Sequence, residues 1–270
     1  MKFTSIRLEG LNDIDLYLSN ADPSDPYILK SAEGLGPPEI DISIAATRHM
    51  DGYYKGRNAQ YREIVLTIGL NPNYRDNITV SDLRSRLYGL LSAGSSDSID
   101  VVIIDDDKRL MRTTGYIKKM EIVPFSANPE VQLTIPCVTA CFQAQNDVYV
   151  DISSDLGWQD VDNIGTAETG IVFQATALEP APVFELTDDR QNFMFVYYPF
   201  VTNDTIIVDT RPGSRSIKLM PANGPMQNLL HALSKESQWL WLYAGTNRLS
   251  YFQGIFRWDE FYYTPQYWGI

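Results

Sequence analysis

Arg211 and Arg215 flank Pro212-Gly213-Ser214 in the stretch DTRPGSRSIKL (209–219), an arrangement that would suit a phosphate or a carboxylate. The surrounding pattern makes a competing claim. Ile206 and Val208 alternate before the loop, and Ile217 and Leu219 alternate after it, as in two strands. Proline presets φ at the second position of a type II turn, and glycine supplies the positive φ of the third. A hairpin is therefore expected, with the arginines as its flanks rather than as a ligand site.

Other residues with chemical potential reduce in the same way. His49 and His231 are the only histidines, and the chain has no G-x-S-x-G, Walker loop or H-E-x-x-H. Nothing local supports a Ser–His–Asp arrangement. Gly34-Leu35-Gly36 lacks a third glycine and runs into Pro37-Pro38, so it cannot open a dinucleotide-binding helix. Asp105, Asp106 and Asp107 are consecutive, whereas calcium loops space their carboxylates at alternate positions; a solvated hairpin tip is expected. Asp188 and Asp189 are strand neighbours facing opposite sides, which fails as a glycosidase pair. Cys137 and Cys141 lack the further ligands of a zinc site and read as buried thiols. No enzyme activity, metal site or cofactor is expected.

Charge narrows the partners. Twenty-two basic against 34 acidic side chains leave a net charge of −12. Residues 1–145 hold 15 basic and 19 acidic groups (−4), and residues 146–270 hold 7 and 15 (−8). A nucleic-acid ligand needs a basic footprint, which neither half provides. The sequence has no apolar run of transmembrane length and no signal-peptide pattern at its start, so no membrane insertion is expected. Two cysteines are too few for a disulfide framework, consistent with a protein made and kept reduced in the cytoplasm.

Strands dominate the elements around these residues. Ile40, Ile42 and Ile44 alternate with polar residues in EIDISIAA (39–46), the mark of a half-buried strand. Further strands are expected in 61–72, 99–105, 110–123 and 130–142, with residues 106–109 as a hairpin tip. One helix interrupts them: Thr79 and Asp82 make a capping box, and Leu83, Leu87, Leu90 and Leu91 follow at helical spacing, with Gly94 near the C-cap. Residues 144–176 are polar and acidic and read as a linker or extension. Short strands resume after ALEPAPVFEL (177–186), at the spacing of a β-sandwich or jelly roll. The expected division is thus 1–143, 144–176 and 177–270.

Aromatic residues are the remaining signal. WLWLY (239–243) aligns Trp239, Trp241 and Tyr243, and FRWDEFYY (256–263) sets Phe256, Trp258 and Tyr262 against Phe261 and Tyr263. Trp239, Trp241 and Trp258 read as sandwich core, with sugar stacking or protein docking as the functional alternative. Tyr267 and Trp268 follow Pro265 outside the alternation and are expected to be exposed, for docking or sugar stacking.

Six stretches, in order, resemble the siphophage distal tail protein (Dit) family: GLGPPEIDISI (34–44), GYYKGRNAQYREIVLTIGLNP (52–72), GYIKKMEIVPFSANPEVQLTIPC (115–137), IIVDTRPGSRSIKL (206–219), WLWLYAGTNRLSY (239–251) and FRWDEFYYTPQYWGI (256–270). The helix at 80–92 lies where that family has one. The resemblance implies a mainly β chain: an N-terminal β-sandwich or split barrel with one helix and a belt hairpin, then a C-terminal galectin-like β-sandwich. It implies a homo-hexamer at the virion tail tip, assembled in the host cytoplasm, which joins the tail tube protein to the tail-tip hub protein. DNA would pass through its lumen without specific binding, and an acidic wall would suit that passage. Receptor-binding proteins and host saccharides are further implied partners, and carbohydrate-binding host attachment through the C-terminal sandwich is the alternative function. For the belt, GYYKGRNAQYRE offers Tyr53, Tyr54, Lys55 and Arg57, an aromatic and basic set suited to an inter-subunit contact.

Overall fold

A computed structural model describes residues 5–10, 15–19, 21–46, 52–91, 98–104, 110–122, 128–152, 157–251 and 254–270. It resolves two compact units: residues 1–145 with 267–270, and residues 146–266. The fold is mainly β, as expected. One α-helix occurs among the described residues, and no described helix is long and apolar enough to cross a membrane.

The first unit contains β1 (Ser5–Gly10), β2 (Asp15–Leu18), β3 (Tyr27–Glu33), β4 (Ile40–Ala46), β5 (Gly52–Ala59), β6 (Glu63–Leu70), α1 (Val80–Leu90), β7 (Ile99–Ile104), β8 (Leu110–Gly115), β9 (Lys119–Ile122), β10 (Glu130–Pro136) and β11 (Phe142–Ala144). One sheet runs β2-β1-β7-β8-β11 and ends on a short strand, Gln266–Tyr267; a second runs β3-β6-β10-β9. Period-2 alternation explains their core. Ile64, Leu66 and Ile68 of β6 stand opposite Ile135, Leu133 and Val131 of β10, and all six are fully buried. The long apolar stretches predicted at 110–123 and 130–142 each break and change sheets. Gly115 marks one break: a Cβ there would lie 2.6 Å from Ile135 Cγ2 and 2.8 Å from the Pro136 carbonyl.

The helix is capped as its sequence predicts. Thr79 Oγ1 accepts from the Asp82 amide (3.2 Å), and Asp82 Oδ2 accepts from the Thr79 amide (2.9 Å). The Thr79 hydroxyl, which donates to Asp82 Oδ2 (2.7 Å), and then the Thr79 amide hold the Asp82 carboxyl below the usual carboxylate range. Leu83 and Leu87 face the core, and Tyr27 Oη donates to the Leu83 carbonyl (2.9 Å). Gly94, His49 and the expected hairpin tip at 106–109 lie outside the described residues.

The second unit contains β12 (Val148–Tyr149), β13 (Trp158–Asn163), β14 (Thr169–Ala177), β15 (Ala181–Asp188), β16 (Phe193–Phe200), β17 (Thr205–Asp209), β18 (Ser216–Met220), β19 (Gln227–Asn228), β20 (Trp241–Leu242), β21 (Gly245–Tyr251) and β22 (Phe256–Tyr263). One sheet runs β12-β22-β14-β17-β18-β19, with β20 also on β14; the other runs β13-β21-β15-β16. Phe173, Phe184, Phe256 and Phe261 fill the space between, with Phe173 stacked on Phe184 at 5.5 Å.

Here the expected boundaries change. Residues 144–176 are not a linker: they supply β12, β13 and most of β14, which pairs with β17, β20 and β22. Eight of the nine β14 residues are buried, so the strand has apolar neighbours on both faces and shows no alternation. Its threonines are made compatible with burial by hydrogen bonds, Thr169 Oγ1 to the Thr264 carbonyl (2.7 Å) and Thr176 Oγ1 with Thr205 Oγ1 (2.7 Å). A fragment starting at 177 would lack that strand, and Tyr267–Ile270 belong to the first unit.

Candidate functional site

Among the described residues β4 and β5 pair only with each other, forming a two-stranded ribbon apart from both sheets of the first unit. The ladder sets Ile42 against Arg57, Ser43 against Gly56, Ile44 against Tyr54 and Ala45 against Tyr53; the shift after Ser43 leaves Lys55 as the extra residue of a bulge. The residues expected in a belt loop are thus in a strand; their side chains lie outside the described part. The isoleucines opposite them overturn an expectation. Ile40, Ile42 and Ile44 are 39%, 62% and 65% exposed, so the apolar row read as half-buried has no cover among the described residues.

A buried arginine gathers the segments from which the ribbon leaves. Arg62 is 2% exposed and donates only to backbone carbonyls: Nη1 to Gly34 (2.5 Å) and Gly36 (2.7 Å), Nε and Nη2 to Ala140 (3.1 and 2.9 Å), and Nη2 to Trp268 (2.6 Å). Its guanidinium lies 4.0 Å from the centre of the Phe142 ring. Desolvation lowers its pKa, against the opposing influence of Cys137 and Cys141, both buried thiols. The ribbon closes just beyond: the Gln60 amide donates to the Glu39 carbonyl (3.0 Å), and Gln60 Nε2 reaches both carboxylate oxygens of Asp41 (3.1 Å each). Beside this root is an open cleft of about 530 Å³, lined among others by Pro37, Glu39, Tyr61 and Glu63, with Lys118 paired to Glu63 (2.9 Å). The sequence gives no sign of Arg62's role, because an Arg-Glu pair opening a strand looks like surface.

Tyr267 and Trp268 are not an exposed pair. Tyr267 is 9% exposed within the core of the first unit, and Trp268 is half-buried with its carbonyl on Arg62. Position after a proline says nothing about such docking, which depends on distant residues.

In the second unit the aromatic expectations also shift. Trp239 and Trp258 pack against the core as expected, whereas Leu240 and Leu242 take core positions at no exposure and leave Trp241 and Tyr243 half-buried toward the outside. Arg215 lies over Trp239 and Trp241 (5.5 and 5.7 Å), and Arg190 over Tyr243 (3.5 Å). A bulge at Asp259 advances β22 by one residue, since Ala175 faces Trp258 while Gln174 faces Glu260. Phe256, Phe261 and Tyr263 are consequently all buried and only Tyr262 turns outward, unlike the uninterrupted alternation expected. A further outward row was not anticipated: Phe193, Phe195 and Tyr197 of β16, with ring centres 5.0 and 6.4 Å apart.

The chemical candidates resolve into structure. The Ser214 amide donates to the Arg211 carbonyl (3.1 Å) and Gly213 has φ +82°, the type II turn expected, with β17 and β18 in register from Asp209–Ser216. Arg211 forks onto its neighbour Asp209 (Nε–Oδ1 3.0 Å, Nη2–Oδ2 2.7 Å), which raises the arginine's pKa through that hydrogen bonding. Asp188 is buried and accepts from the Arg190 and Asn192 amides (2.9 and 2.8 Å) and from Asn192 Nδ2 (2.7 Å), closing the β15–β16 turn. Asp189 is exposed, and His231 is exposed on the 3-10 turn Leu230–Ala232. Among the described residues, no three His, Cys, Asp or Glu side chains gather to hold a metal.

Comparison with known proteins gives these features a context. Residues 164–267 match the family described as siphovirus-type tail component, C-terminal domain. The chain superposes on the crystal structure of SPP1 Dit, described as a paradigm of the hub adsorption apparatus in phages infecting Gram-positive hosts. That match has a TM-score of 0.67 and 18% identity, over 97% of this chain and 98% of the other. Looser matches, with TM-scores of 0.43 and 0.42 and identities of 9% and 8%, are to the activated phage P2 baseplate with calcium and with strontium. They cover 98% of both chains and 97% of both chains, respectively. No curated protein matches the chain. The resemblance read from the sequence therefore stands, and the fold is that of a distal tail protein.

Proposed function

We propose that this chain, which carries the siphovirus-type tail component domain, is a structural distal tail protein. In this reading it assembles as a hexameric ring at the tail tip, between the tail tube and the hub protein, with a lumen through which DNA passes. The observation that carries the reading is the β4–β5 ribbon, with its row of three exposed isoleucines. A two-stranded ribbon is marginal in water by itself, and an exposed apolar row is stabilised when another surface covers it. A second copy of the chain supplies that cover, with Tyr53, Tyr54, Lys55 and Arg57 on the facing strand contacting the neighbouring subunit. The net charge of −12 supports a wall that repels DNA rather than holding it. The chain's contribution is structural and not enzymatic.

Replacing Tyr53, Tyr54 and Arg57 together by alanine tests the contact. The expected variant remains folded by circular dichroism but no longer forms rings in negative-stain images. Intact rings would remove the ribbon from the interface.

A second reading, carbohydrate binding by the second unit, is favoured by one observation: the outward aromatics Trp241 and Tyr243 and the outward row Phe193–Phe195–Tyr197. A glycan array probed with the full chain decides it, because a fragment of 177–270 would omit most of β14. Binding that is lost on Trp241→Ala supports this role alongside assembly; an empty array removes it.

A further inference from the structure

We infer that residues Tyr267–Ile270 are a strap that fixes how the β4–β5 ribbon leaves the first unit, with Arg62 as the positioning residue that joins them. The role in assembly rests on the ribbon reading above; the mechanical coupling does not.

Each strap residue has its own hold on the first unit. Tyr267 is in the core, the Trp268 carbonyl accepts from Arg62, and the Ile270 amide donates to the Leu35 carbonyl (3.1 Å). Gly269 lies flat against the lead into β4: a Cβ there would stand 2.9 Å from the Gly36 carbonyl carbon and 2.9 Å from the Pro37 nitrogen. That lead is stiff. Pro37 and Pro38 have fixed φ, and Gly34, at φ +79°, has no room for a side chain because its Cβ would fall 2.0 Å from the Glu63 carbonyl oxygen.

Arg62 spans the other leg, three residues past the end of β5. Its planar fork reaches Gly34 and Gly36 on the incoming leg and Trp268 on the strap, 206 residues away in sequence. An exposed ribbon has no sheet to set its direction, so its direction is set where it is rooted. The root in turn depends on the strap, whose residues are made only after the 121 residues of the second unit, Asn146–Gln266. A chain in which Tyr267–Ile270 have not yet been made therefore has its first unit without a fixed ribbon, and ring assembly waits for that segment.

Two glycine-to-alanine changes on opposite sides of one contact test this. Gly269→Ala drives a methyl group into the Gly36–Pro37 backbone, whereas Gly36→Ala places its methyl group where nothing lies within 4 Å. Hydrogen exchange of the full chain, diluted to monomer, is followed at Gln60 and along the Ile40–Ala59 ladder, with the β6–β10 ladder as internal reference. Gly269→Ala should speed ribbon exchange by about tenfold or more, with the reference unchanged and Gly36→Ala matching wild type. Ribbon exchange equal to wild type in Gly269→Ala overturns the strap. Should that variant also expose β6–β10, Ile270→Pro, which removes the donor to Leu35 together with an isoleucine side chain packed on the core, decides on the same criterion.

Ring formation by the same proteins is the second readout. Loosened ribbons that still form rings as wild type does would overturn the dependence of assembly on the strap. Wild-type protein that forms no rings would count against the proposed function, while the exchange comparison would still decide the strap.

Discussion

Arg62 and Asp188 are buried charged side chains held by backbone groups rather than by opposite charges. The arginine satisfies four carbonyls, and the aspartate satisfies two amides and one side-chain amide. Each organises a loop whose polar groups would otherwise be buried without partners, a loss of about 1–3 kcal/mol per group. Asp188→Ala should therefore lower stability by about 2–3 kcal/mol in urea unfolding, with no effect on self-association, because the β15–β16 turn loses its closing acceptor. A change below about 0.5 kcal/mol would mean that water replaces the carboxylate there. Neither role is visible in the sequence. A side chain that binds backbone carries no partner signature, so Asp188-Asp189 can be rejected as a catalytic pair without its real task being apparent.

At the level of elements, legibility follows how local the determinant is. The capping box needs only Thr79 and Asp82, and the β17–β18 hairpin needs only Pro212-Gly213 between alternating strands; both are found as the sequence indicates. Gly213→Ala should cost about 1 kcal/mol or more through the positive φ alone, since no atom lies within 4 Å of the added methyl group. A neutral result in thermal unfolding would show that the turn relaxes to another type. Determinants from elsewhere in the fold are the ones that hide. β14 lacks alternation because neighbours cover both of its faces, and its acidic surroundings make the whole stretch resemble a linker. The single extra residue Asp259 turns part of β22 over, which no count by twos anticipates. In β4 the alternation itself was legible, but the pattern could not say whether the cover comes from this chain or another.

For the whole molecule, two β units of different content share one chain. The first carries the ribbon and the strap; the second carries the more acidic surface and the outward aromatic rows. The six stretches that resembled the distal tail family were legible as a set because they span both units, whereas the position of the boundary, after residue 145 with a return at 267, was not. The proposed function depends above all on ring formation through the ribbon. Its most direct test is the solution mass of the purified protein across a concentration series, with negative-stain class averages at the highest concentration. A species of six chains and six-fold averages with an open lumen are expected. A monomer at every concentration, also in the presence of tube and hub proteins, would contradict it.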